Sequence, residues 1–105
     1  MNFELLNNLI KEYILIVEAL KKNFANEIIY KDDKLLLDKE IFEKMLSKKD
    51  FLSVNEKKKL WRDLRWISCD KDRLRYTKKV YIDGVFYRKV AIELLPYLTI
   101  KELIF

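Results

Sequence analysis

The chain has 105 residues, half of them hydrophobic and 37% charged, enough for one domain with a buried core and too few for a second. It contains no His, one Cys (Cys69), one Gly and one Pro. This excludes a His general base, a Cys/His zinc site, an internal disulfide and long flexible linkers. The formal net charge of +5 points to an anionic partner.

Residues 3–24 place Phe3, Leu6, Leu9, Ile10, Tyr13, Ile16, Val17, Leu20 and Phe24 at the i, i+3, i+4, i+7 spacing of an amphipathic helix. Asn2 is placed to cap it. Leu5, Ile14 and Leu15 widen the apolar arc, which suits deep burial or a second chain. In Glu27–Leu37, two apolar runs flank Lys31-Asp32-Asp33, and the second, Leu35–Leu37, reads as a short strand. Asp38 then starts a helix near residues 39–48, with Ile41, Phe42, Met45 and Leu46 inward.

Ser53 and Glu56 have the S-x-x-E spacing of a capping box, predicting a third helix over residues 54–67. Projected at about 100° per residue, Leu60, Leu64 and Ile67 form its inner stripe, with Trp61 on the shoulder. Asn55, Lys58, Lys59, Arg62, Arg65 and Trp66 form the outer arc. Cys69 then follows a helix C-terminus, whose dipole disfavours a thiolate, and reads as a structural thiol.

Arg73–Ile82 and Val85–Leu94 are rich in β-branched and aromatic residues and are separated only by Asp83-Gly84, the signature of a type I′ hairpin. A two-residue turn fixes the register: Ile82 opposite Val85, Tyr81 opposite Phe86, Val80 opposite Tyr87, Lys79 opposite Arg88, Lys78 opposite Lys89. Two like-charge pairs thus face each other, an unfavourable arrangement that a bound anion relieves. After Pro96, the T-x-x-E spacing of Thr99 and Glu102 predicts a last short helix, ending in Leu103, Ile104 and Phe105 and packed on the first helix or on a second subunit.

The order helix, short strand, helix, helix, hairpin, helix resembles the winged helix-turn-helix, an α+β fold. The segment Thr77–Arg88 looks like its wing. Within that class the chain is similar to the small relaxosome accessory proteins of clostridial conjugative plasmids. The resemblance implies site-specific binding of double-stranded DNA as a homodimer, with the wing as a main contact and a relaxase or other DNA-processing protein as a further partner.

Charge is distributed to match. Residues 1–50 carry a net −1, whereas residues 57–89 carry 12 basic and 4 acidic side chains. Such a run is often only a solvated face; here it coincides with aromatics and a hairpin. Lys58, Lys59, Arg62 and Arg65 are the candidates for the major groove. Lys78, Lys79, Tyr87, Arg88 and Lys89 are the candidates for backbone or minor groove, Arg88 best suited to a narrow minor groove. A protein-interaction module, such as an inhibitor presenting the same basic face, is the alternative.

No enzyme is expected. The chain has no phosphate-binding glycine loop and no Ser-His-Asp set, and Asp32-Asp33 and Asp70/Asp72 read as turn formers. Neither cofactor nor metal is expected. No run approaches the ~20 apolar residues of a spanning helix, and the N-terminus lacks export features, so the expected location is cytoplasmic.

Overall fold

The Asn2 side chain accepts a hydrogen bond from the Leu5 N–H at 2.7 Å and starts α1 (Phe3–Asn23), as the sequence predicts. The computed structural model describes residues 2–70 and 75–104, with side chains to residue 103. Of the predicted Arg73–Ile82 strand, Arg73 and Leu74 lie outside that range, as do Asp72, the Ile104 side chain and Phe105, and residues 75–77 are not strand, so the strand begins only at Lys78.

Both runs around Asp32-Asp33 are strands, not only the second: β1 (Ile29–Lys31) and β2 (Lys34–Leu37) form a hairpin with Lys31 opposite Lys34. Asp32 and Asp33 sit at φ +52° and +60°, the geometry of a type I′ turn made by two aspartates instead of Asn-Gly. Next come α2 (Lys39–Leu46) and α3 (Val54–Asp63). The Ser53 hydroxyl accepts from the Glu56 N–H at 3.1 Å and lies 3.0 Å from the Glu56 carboxylate, so the predicted cap is present.

Helix α3 is four residues shorter than its pattern suggests. It closes in a Schellman motif: the Arg65 N–H donates to the Arg62 carbonyl and the Trp66 N–H to the Trp61 carbonyl. Arg65 holds the left-handed position at φ +61°, where glycine is usual. The Trp61 and Trp66 rings, 5.8 Å apart and edge to face, supply the apolar contact of this motif. Ile67 and Ser68 are then free to form β3.

Strands β4 (Lys78–Ile82) and β5 (Val85–Glu93) form the second hairpin, in the register expected from its turn, with Asp83 and Gly84 at φ +49° and +84°. A Cβ on Gly84 would meet only the Tyr81 hydroxyl at 3.7 Å, so the turn requires glycine for its φ, not for space. The far half of β5 runs between β2 and β3, with Leu36 opposite Ala91 and Ile67 opposite Ile92. Helix α4 (Leu95–Ile104) begins four residues before the predicted Thr99 cap, with Pro96 in its first turn, where its missing N–H costs nothing.

Period-two alternation sends Leu35, Leu37, Val90 and Ile92 into the helical core, while Leu36 and Ala91 face the opposite side of the sheet. The core is aromatic at its centre: Tyr13 stacks on Trp66 at 4.6 Å and meets Trp61 edge-on at 5.2 Å, and Phe42 meets Trp61 at 5.0 Å. Trp66 is therefore core, not outer arc. The Tyr13 hydroxyl donates to the Glu93 carbonyl, tying α1 to the end of β5, and burial holds this phenol well above its ordinary pKa. Tyr97 packs edge-on to Tyr13, and Lys101 pairs with Glu18, which fastens α4 to α1.

Candidate nucleic-acid interface

The inward face of α3 is wider than the projection selects. Leu60, Trp61 and Leu64 pack in or against the core as expected, and Val54, Lys57 and Lys58 turn inward as well, with both lysines buried. The Lys57 ammonium spends its three protons inside: on Glu12 at 2.8 Å, on the Leu46 carbonyl at 2.8 Å and on the Lys49 carbonyl at 2.5 Å. It thereby satisfies a carbonyl of the C-terminal turn of α2, where the helix dipole favours a cation. Burial pushes the Glu12 carboxyl above its ordinary value, and the hydrogen bond and charge of Lys57 offset this only in part. Lys58 pairs with Glu43 at 2.7 Å and is 6% exposed, so it does not stand on an outer basic arc. The one signal for this arrangement in the sequence is Glu12, an acid within the apolar pattern of α1.

Of the other helix candidates, Lys59 is exposed. Arg62 is half-buried, 3.5 Å from Asp63 and stacked over the Tyr76 ring at 5.2 Å. Arg65 is exposed but lies past the helix end.

The hairpin candidates divide in two. Lys89 reaches Asp38 at 2.5 Å, and Arg88 reaches Asp70 at 2.9 Å. Asp70 also accepts from the Lys79 N–H at 3.3 Å. The like-charge pairs thus exist in the expected register, but internal carboxylates relieve one member of each. Lys78 and Lys79 have no carboxylate partner among the described residues; Lys79 lies 4.4 Å from the centre of the Phe86 ring. Tyr81, Val85, Phe86 and Tyr87 are each 45–60% exposed at the hairpin tip, with Tyr81 and Phe86 in ring contact at 4.9 Å.

The hairpin does not project freely. The Lys31 ammonium donates to the Tyr81 carbonyl, and Leu36, on the outer face of the sheet, shares a small cleft of about 190 Å³ with Lys78–Tyr81. Folding β4 toward the β1–β2 turn brings Lys31, Lys34, Lys78 and Lys79 around that one cleft, against a single aspartate, Asp32. Lys34 is also 3.3 Å from Glu93. Lys31 and Lys34 belong to the half of the sequence with net negative charge, and only the unforeseen first hairpin carries them here.

Cys69 follows β3, not a helix, and is partly buried against the core. Among the described residues no group of three or more Cys, Asp or Glu could hold a metal ion, and no helix is long and apolar enough to cross a membrane. No family model matches the chain, and no match to a curated protein was found.

Proposed function

We propose that this chain is a winged helix-turn-helix protein that binds double-stranded DNA chiefly through its wing. In this reading α2 and α3 are the helix-turn-helix, β4 and β5 are the wing, and β5 runs on from the wing into the main sheet between β2 and β3. The observation that carries it is the grouping of Lys31, Lys34, Lys78 and Lys79 beside exposed hairpin aromatics. Lysines placed so close repel one another in the free protein and gain most when phosphates sit among them. The remaining helix contribution is small: Arg62 stands 3.5 Å from Asp63 and Lys58 is internally paired, which leaves Lys59.

The finer reading follows the resemblance: a site-specific cytoplasmic factor of plasmid transfer or of transcription, acting as a homodimer, with a relaxase or similar protein as a further partner. A gel-shift titration over a salt series tests the DNA reading. Binding that weakens steeply with salt supports it, and absence of binding to any duplex at low salt removes it.

One observation favours a protein-interaction module instead: the apolar tip formed by Tyr81, Val85 and Phe86 suits an aromatic anchor rimmed by charge. Under that reading, replacing Phe86 by Ala abolishes the interaction while duplex DNA binding is absent from the start.

A further inference from the structure

A second concavity, of about 490 Å³, lies on another side of the hairpin, between the start of α2, the irregular segment 75–77 before β4 and the middle of β5. Its size is that of a small-molecule site. Asp38 occupies the N-cap of α2 yet makes no capping hydrogen bond, because its carboxylate is turned to Lys89. The first-turn N–H groups of α2, at Lys39, Glu40 and Ile41, therefore have no acceptor among the described residues. Such a helix end attracts an anion.

A separate feature points into the same space. Thr77 is 7% exposed and lines the cleft, and its hydroxyl makes no hydrogen bond among the described residues. The threonine is otherwise packed in, and its hydroxyl oxygen keeps its access to solvent at the cleft wall, where a ligand can bond it. Around it stand Arg75 and Lys39, neither with a carboxylate partner among the described residues, together with Arg88 and Lys58, which are held by Asp70 and Glu43. Tyr76 adds an aromatic wall. The rim also carries Glu40, and Asp38 is neutralised by Lys89, so the cations exceed the unpaired acids.

We infer that this cleft binds a small phosphorylated ligand of mononucleotide size, its phosphate taken by the α2 amides, Arg75 and the Thr77 hydroxyl. The inference is independent of DNA binding: it concerns a concave site distinct from the four-lysine cleft, and its test contains no DNA.

The test is calorimetric titration of the intact protein with inorganic phosphate, adenosine 5′-monophosphate and adenosine. The expected result is saturable binding of the monophosphate in the micromolar-to-millimolar range, weaker binding of inorganic phosphate and none of adenosine. Arg75→Ala, at an exposed position, should weaken monophosphate binding about tenfold or more, and Thr77→Val about three- to tenfold. Thermal unfolding of each variant checks that the fold is kept. The inference is overturned if the monophosphate does not saturate, if it binds no more tightly than inorganic phosphate or adenosine, or if Arg75→Ala binds it like the parent protein.

Discussion

The Lys57 ammonium lies 2.8 Å from a Glu12 carboxylate oxygen, and neither side chain has more than 4% of its surface in water. This pair joins α3 to α1, and its two carbonyl contacts add the end of α2 and the following loop. Removing one member strands the other. Lys57→Met leaves a buried carboxylate without its cation and should cost about 3–5 kcal/mol, whereas adding Glu12→Gln to that variant should restore part of the loss. Urea denaturation of the two single variants and the double variant measures the coupling. Additive losses would contradict it.

The same carboxyl makes stability depend on pH. The folded pKa of Glu12 is raised above its ordinary value of 4.5 by burial, so the folded chain holds this proton more tightly than the unfolded chain. The stabilisation from protonation is therefore absent at high pH, grows as pH falls through the folded value, and is complete below the unfolded value. Glu12→Gln removes this dependence. The stability of the parent protein minus that of the variant should rise between pH 7 and pH ~4.5. A difference that falls on acidification would show that Lys57 dominates and depresses the pKa.

Arg65 holds a left-handed backbone that costs a side-chain-bearing residue about 1–2 kcal/mol. Arg65→Gly should stabilise the fold by roughly 0.5–1 kcal/mol, since the Schellman hydrogen bonds stay in place and glycine's greater freedom when unfolded offsets part of the gain. Chemical denaturation reads this directly. Destabilisation would mean that the Arg65 side chain contributes a contact outweighing the backbone cost.

These residues also show where the sequence could be read and where it could not. Local rules carried far: Asn2, the Ser53–Glu56 cap and the Asp83-Gly84 turn placed two helix starts and one complete strand register. They failed where tertiary partners override local preference. Lys57 and Lys58 look like solvent residues until Glu12 and Glu43 arrive from other helices. The end of α3 was hidden because arginine stands where glycine would announce it, and the first hairpin because two aspartates make its turn. Local pattern therefore overstates the helix part of the candidate interface and gives no sign of Lys31 and Lys34.

Phe3, Leu15, Leu98 and Leu103 are each more than half exposed on α1 and α4. Apolar side chains on two packed helices are the surface through which a homodimer would form, and a two-fold pair would present two wings to repeated half-sites. Sedimentation at micromolar concentration should give twice the chain mass, and Leu15→Glu with Leu98→Glu should halve it. A monomer with an intact fold would remove the dimer from the account.

The most direct test of wing-led DNA binding compares two double variants on one duplex across a salt series. Neutralising about five phosphates gives the parent protein a log–log slope near −4 to −5. Lys78→Ala with Lys79→Ala should keep the fold, weaken binding to specific and random duplex alike and flatten the slope by about 2. Lys59→Ala with Arg62→Ala should change affinity less. If the wing variant instead keeps the parent's affinity and slope while the helix variant loses binding, α3 and not the hairpin is the DNA-reading element.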